Sequence, residues 1–487
     1  MTNQARTIYL KFSDESRGPV RARLTYAFRV FAAIYNYRVV EADASDDAIC
    51  LVYGGNGKEE QKAGCLRVPE RYDENSTWAQ QENLVRHHYA GEDFPLFYGI
   101  DAATGNPDWL GEIFEWISSS HESCITSRDS IGRIAYDHML FSKQGISPRK
   151  PYATLLMAWM ENALRNGNTK ETLPRAESPI PGASHALVCS QDIDFYYVDK
   201  ASLFVRLVKN LGISALQTRN LSFFRSSLLL FGKALAGERV GDYLPAMLKQ
   251  MEDRGIQSTL FVVARKGHRR DPNYNLEQIA PHLLKAPQSG FPVELHGSYT
   301  SVMEGATLTD ELSALQKATG QTARGNRQHW LRFSDHGKLF RAVEEAKLAF
   351  DSTLGFSEMV GFRNGASFAY PPYDFERERP YSFLEIPLAV MDVSLEAAAL
   401  ALKANPQELA EEVLQQSRKY GWGGISLLWH NPVEPLHVPE EINEVFWNCA
   451  RKKEQSNERW MSGREFVAQC LGRYQNAGLL QEVRTPS

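Results

Sequence analysis

The chain has 487 residues, 43% hydrophobic and 23% charged, with a formal net charge of -5. That is the make-up of a globular protein with room for two to four domains. It excludes the clustered basic composition of a nucleic-acid binder, and its longest apolar runs, at 155–160 and 397–402, are too short to span a bilayer. The first ten residues carry no long apolar core, and the six cysteines are scattered without a CxxC. Both features point to a cytoplasmic protein with reduced, buried thiols.

Residues 1–105 read as a small α/β domain. Strands are expected at 7–12, 48–53, 66–69 and 95–98, with a helix over 19–37 where Ala, Leu and Phe recur at helical spacing. Gly54-Gly55-Asn56-Gly57 lacks the Lys-Ser/Thr ending of a phosphate loop and reads as a turn. Residues 106–183 read as a helical connector, with helices at 109–119 and 152–166 and a Pro/Gly/Ser/Glu-rich linker over 171–183. Between those helices, Ser127-Arg128-Asp129-Ser130-Ile131-Gly132-Arg133 is either a binding element or a structural ion-pair turn.

From residue 184 to 472 strand candidates recur at 186–191, 258–263, 292–296, 324–329, 348–352, 383–388 and 424–430. Segments such as 309–319, 339–349 and 406–420 are long enough and periodic enough for crossover helices. Seven such units fit an α/β fold of the (β/α)7 barrel type better than a sandwich, with an open doubly wound sheet as the competitor. Residues 473–487 form a tail.

Four strand ends carry polar residues. The first ends in Asp192 and Asp194, which share a face if the strand continues. Alone, that pair reads first as a helix cap or an Asx-turn. Together with His296 at the third strand end, Arg327 and His329 at the fourth and His430 at the last, it becomes a set. One carboxylate and two imidazoles make a site for a divalent ion, zinc above others. A second carboxylate can take a proton from water and a further histidine can protonate a leaving amine, which suffices for metal-assisted hydrolysis of an amide or ester. The other nine histidines show no such placement.

The order of these pieces resembles the polysaccharide deacetylase family, the NodB-homology domain of carbohydrate esterase family 4. Cys189-Ser190-Gln191-Asp192-Ile193-Asp194 is similar to its first motif, although the family's acids are usually adjacent. The resemblance implies Asp192 as general base and Asp194 as metal ligand. His296 matches the first histidine of the second motif, but Thr300 stands where the second would be. His329, in Arg327-Gln328-His329, is the inferred replacement. Leu428-Trp429-His430 matches the Leu-x-His motif and implies His430 as general acid. Longer strings, including Glu294-Leu295-His296-Gly297-Ser298-Tyr299 and Gly361-Phe362-Arg363-Asn364-Gly365, are similar to a divergent branch with an extra N-terminal domain, associated with bacterial surface polysaccharides.

The resemblance further implies an arginine and an acid that orient the base and acid, with Arg327, Arg363, Asp351 and Asp392 as candidates. Tyr299, Trp330, Tyr370 and Tyr373 are candidates for a sugar platform, and are equally explained as core aromatics. The implied activity is removal of an N-acetyl or similar acyl group from a sugar or polysaccharide precursor. A catalytically silent carbohydrate-binding protein, motivated by Thr300, and another metal-dependent amidohydrolase are the alternatives.

Overall fold

The computed structural model describes residues 5–12, 18–40, 49–54, 65–72, 83–167, 172–197, 200–217, 220–303, 307–452 and 457–481. Residues 55–57 of the expected 54–57 turn, the first residue of the 171–183 linker and residues 482–487 of the expected 473–487 tail lie outside them; the start of that tail instead completes the helix Gly463–Asn476 and buries Tyr474. In the N-terminal part, β1 (Arg6–Phe12), β2 (Tyr37–Val40), β3 (Ile49–Tyr53) and β4 (Cys65–Val68) form a parallel sheet in the order β2-β1-β3-β4. The helix Gly18–Ile34 crosses from β1 to β2 and buries Leu24, Ala27, Phe28 and Phe31, one stripe at helical spacing. It is shorter than the expected 19–37. Asn36 adopts φ 58 beyond its end, and Tyr37 begins β2 with its ring buried.

The strand expected at 95–98 sits slightly earlier, as β6 (Glu92–Leu96), paired in a hairpin with β5 (Val85–Tyr89). Ala90 and Gly91 both have positive φ at the turn, the conformation that suits a two-residue hairpin. The Val-Arg-His-His-Tyr run of β5 is too polar to read as a strand. The connector helices form at Trp109–Ser118 and Tyr152–Asn166. Asp108 caps the first by accepting the Gly111 N–H at 2.9 Å.

All seven strands expected after residue 184 form. They are β7 (His185–Asp192), β8 (Thr259–Val262), β9 (Val293–Gly297), β10 (Gly325–Gln328) and β11 (Phe350–Asp351), then β14 (Leu384–Glu385) and β16 (Gly424–Leu428). A small antiparallel pair, β12 (Tyr373–Asp374) and β13 (Arg379–Pro380), lies in the loop before β14. The strand expected at 383–388 breaks at Ile386-Pro387, and the chain resumes as β15 (Leu388–Met391). An additional strand, β17 (Glu458–Met461), pairs with the first half of β7.

The sheet runs β14-β11-β10-β9-β8-β7-β16-β15, and every pairing in it is parallel. Its two outer strands, β14 and β15, are consecutive in the chain, and the Leu388 N–H donates to the Leu354 carbonyl at 2.8 Å. The sheet is therefore curled almost into a barrel with helices outside it. All eight residues of β7 are buried, as expected for a parallel strand covered on both faces.

The helix expected over 339–349 forms at His336–Glu345. Lys347 adopts φ 55, and Ala349 leaves the helix to donate its N–H to the Arg324 carbonyl beside β10. One apolar cluster lies between the barrel strands and their helices, including Leu187, Cys189, Ile193 and Leu295. Another runs from Ile8 and Phe28 through Trp109 and Trp159 to Phe350, Phe466 and Tyr474. All six cysteines are free thiols. Among the described residues, no helix is long and apolar enough to cross a membrane.

Candidate metal centre and active site

Because the strands are parallel, their C-terminal ends share one rim, where a barrel places its chemistry. Side-chain alternation along β7 continues past its last residue. Cys189 and Ile193 face the helices, while Ser190, Asp192 and Asp194 face the interior. The inserted Ile193 is therefore the outward residue between two inward acids, and its N–H donates to the Phe261 carbonyl at 2.9 Å.

Asp194, His296 and His329 are buried and place ligand atoms within 4.8 Å of one another. His296 Nε2 lies 3.3 Å from Asp194 Oδ1 and 3.5 Å from Asp192 Oδ2. His329 Nε2 lies 3.2 Å from Asp194 Oδ2. The other ring nitrogen of each histidine is already committed. His296 Nδ1 is 2.7 Å from the Arg327 carbonyl, which can only accept, so the proton of the neutral ring sits on Nδ1. His329 Nδ1 faces Asp271 Oδ1 at 3.4 Å. His296 Nε2 is thus left with a lone pair directed at Asp194, and His329 Nε2 has the same in the tautomer that gives its Nδ1 proton to Asp271. Among the described residues, His296 Nε2 and Asp194 Oδ1 are buried without a hydrogen-bond partner. Lone pairs facing each other in a buried site call for a cation, and two imidazoles with a carboxylate are a donor set that fits a divalent metal.

The electrostatics agree. Burial opposes the charge on Asp194, yet His329 and His296 hold its carboxyl well below the usual range. Burial likewise opposes protonation of His329, but Asp194 and Asp271 lift it to about 9. A proton and a metal ion are alternative ways of neutralising the same spot.

The second acid has a different environment. Asp192 Oδ1 accepts from Arg327 Nη1 at 2.9 Å. Arg327 is wholly buried, and its remaining donors go to Ser190 Oγ, Ser352 O and Oγ and Ser426 Oγ. His430, two residues beyond β16, points Nδ1 at Asp392 Oδ1 (2.8 Å), and its backbone N–H donates to Asp392 Oδ2 (2.9 Å). Its Nε2 lies 3.5 Å from Asp194 Oδ2. Burial opposes a charge on His430, but Asp392 and Asp194 raise its basicity well above the ordinary imidazole.

Of the four orienting candidates, the structure brings Arg327 to Asp192 and Asp392 to His430. Arg363 instead forms a two-pronged ion pair with Glu122 (2.9 and 2.7 Å) and donates to the Gly355 carbonyl. Asp351 accepts from Asn326 and Thr353 and faces Glu385, with burial raising both carboxyls. Neither Arg363 nor Asp351 touches the cluster. Thr300 Oγ1 lies against Gly267, where an added Cβ would come within 3.1 Å of it.

A cavity of about 380 Å³ opens onto the cluster, lined by Asp192, Asp194, His296 and His430 and by the apolar Phe195, Leu331 and Met391. Trp330 also lines it, 39% exposed, in a tight turn where Trp330 and Leu331 both have positive φ. Such strain at non-glycine residues concentrates at functional sites. Tyr299 is buried beside the site under Arg332 and donates nothing to the cavity wall, its hydroxyl instead accepting from Arg270. Tyr373 is not brought to the site. Its ring packs on Tyr26 and Phe114, and its hydroxyl donates to Glu378. Tyr370 is likewise buried away from the cavity, packed on Phe368.

Three contributors were not singled out from the sequence. Asp271, which orients His329, follows β8 in a loop with no distinguishing pattern. His437 lines the cavity although, like the other remaining histidines, it sits at no expected strand end. Arg206, from the helix Lys200–Gly212, reaches the same wall and donates to His437 Nδ1 at 3.2 Å. The turn at 127–133 is an ion-pair turn whose last residue reaches the cavity. Arg133 pairs with Asp129 at 2.9 Å, donates to the Trp330 carbonyl at 3.0 Å and lines the cavity.

No family model matches the chain, and no curated protein matches it. Several solved structures resemble the chain distantly. One is a Mycobacterium smegmatis protein described as a polysaccharide deacetylase, with TM-score 0.38 and 15% identity, covering 64% of this chain and 99% of that one. The Puue allantoinase has TM-score 0.38 and 13% identity, covering 62% and 95%. The peptidoglycan deacetylase PdaC of Bacillus subtilis has TM-score 0.29 and 8% identity, covering 61% and 96%.

Proposed function

We propose that the protein is a metal-dependent hydrolase that removes an N-acetyl or similar acyl group from a sugar, such as a unit of a surface-polysaccharide precursor. The observation that carries this reading is the convergence of the two Nε2 atoms on Asp194, each ring backed by an acceptor behind Nδ1. Asp194, His296 and His329 would hold the ion, and the nitrogen-rich donor set favours zinc. When bound, zinc polarises the acyl carbonyl and makes water acidic enough to attack at neutral pH.

The protein groups supply the rest. Asp192 has one oxygen committed to Arg327, and its Oδ2 is left to take the proton from the attacking water. His430 holds its Nδ1 proton against Asp392 and presents Nε2 to the cavity, so it can deliver a proton to the departing amine as the C–N bond breaks. The cavity volume suits a sugar-sized group, and the Trp330 face offers it an aromatic platform. The sugar itself is inferred from the motif resemblance. The place of His329 beside Asp194 supplies the ligand that Thr300 does not, and so favours an active enzyme over a silent binding protein.

The test is acetate release from a panel of N-acetylated sugars, with chelator and after zinc is restored. Release that chelator abolishes and zinc recovers is expected, together with loss of bound zinc in His329→Ala and none in Thr300→Val. A chain that carries no stoichiometric metal, or zinc-loaded protein that releases no acetate from any substrate, sinks the reading.

A further inference from the structure

Between β7 and β8 the chain builds a helical hairpin, Lys200–Gly212 and Leu221–Leu235. Its inner side is ordinary core, with Leu203, Leu207, Leu230 and Ala234 packing with Tyr197, Val240 and Leu436. Its outer side is not an ordinary surface. Val205, Val208, Leu216, Leu221, Leu228, Leu229 and Leu235 are 52–81% exposed. They are seven of the fourteen large apolar side chains exposed among the described residues. Leu221, Leu228 and Leu235 recur every seven positions, opposite the buried Phe223, Ser227, Leu230 and Ala234. A helix apolar on both faces needs a second apolar environment.

The charges on the same side narrow what that environment is. Residues 200–239 contain seven Lys and Arg against one acid, Glu238, in a chain whose net charge is -5. Lys200, Lys209, Arg225, Lys233 and Arg239 are all exposed. Two copies meeting through this face would bring these cations together. An anionic lipid surface satisfies both features, taking leucines below the headgroups and lysines among the phosphates. We propose that this hairpin docks the protein on an anionic membrane surface, lying in the interface without crossing it. Arg206 of the same hairpin lines the catalytic cavity, so docking holds the cavity mouth near the headgroups. The docking stands independently of the reaction assigned to that cavity.

The test is flotation of the full chain with phosphatidylcholine vesicles, with and without phosphatidylglycerol, at low and high salt. Binding to the anionic vesicles, weakened by salt, is expected. Lys209→Gln with Lys233→Gln should weaken it about fivefold per lysine, about 25-fold for the pair. Leu228→Ser with Leu229→Ser should weaken it by at least about tenfold per leucine. All four positions are exposed, and unchanged circular dichroism and zinc uptake would show that the variants remain folded. Absence of binding to anionic vesicles, or binding that neither pair of substitutions alters, overturns the proposal. So does a dimer in light scattering that the Leu228/Leu229 variant dissociates, because the face would then belong to a second copy.

Discussion

Asp271→Asn is the most informative single change, because it alters one proton and almost no volume. The carboxylate accepts four groups. Oδ1 takes the Tyr299 N–H at 2.7 Å and faces His329 Nδ1 at 3.4 Å, while Oδ2 takes the Gly267 and His268 N–H groups at 2.9 and 2.7 Å. An asparagine must place its NH2 at one of these two positions. At Oδ2 it would confront two backbone donors; at Oδ1 it confronts only one. The second placement costs less, and it directs an N–H at His329 Nδ1. That nitrogen must then accept, so the ring proton moves to Nε2, the atom facing Asp194. The metal would have to displace this tautomer before binding. Loss of such a carboxylate behind a ligating histidine costs about 10–100-fold in metal affinity, or roughly 1.4–2.7 kcal/mol. The unpaired Tyr299 N–H adds about 1–3 kcal/mol of lost stability, so thermal melts should accompany the assay. The assay is zinc titration against a chromophoric chelator. A folded Asp271→Asn protein that binds zinc as tightly as the wild type would refute the tautomer reasoning and with it the role given to His329.

Asp392→Asn should act on His430 by the same logic, lowering kcat by about 10²-fold or more with KM little changed, since the effect of a general acid falls on the chemical step; steady-state kinetics separates the two. Arg327→Met should lower stability by about 3–5 kcal/mol in urea unfolding by leaving Asp192 buried and unpaired. The double change with Asp192→Asn should recover part of that loss, and additive losses would show that the two residues are uncoupled. His185, buried at the start of β7 beside Ser417, is pushed down from 6.5 to about 4 by burial, with Glu458 opposing. Its contribution is therefore complete above pH 6.5 and is lost as pH falls toward 4, because the unfolded chain takes up the proton first. The full loss is about 3 kcal/mol. Urea midpoints measured from pH 7 to pH 4 should fall less steeply in His185→Gln, and parallel slopes would count against this origin.

The barrel was legible because most of its strands are short apolar runs separated by segments long enough for a crossover helix, and four of them end in polar residues. Period and length carry that information without knowledge of any partner. The reading failed where a local signal was absent or ambiguous. β5 is polar because the hairpin is largely exposed. β17 takes its identity from pairing with β7. Tyr373 looked like a sugar platform because an aromatic residue reads the same in a core and in a cavity. Arg363 and Asp351 lie near motif residues in sequence, yet their partners, Glu122 and Glu385, draw them away from the rim.

The sequence by itself determined that acids at 192 and 194 share a face and that histidines 296, 329 and 430 end strands or follow them, since alternation and periodicity are properties of the local backbone. Only the tertiary structure decided how the two acids divide. Arg327 arrives from β10 to hold Asp192, while His296 and His329 converge on Asp194. Only the fold, too, places Asp271, His437 and Arg133 around that pair, because each arrives from a loop whose path depends on what it packs against, not on its own residues.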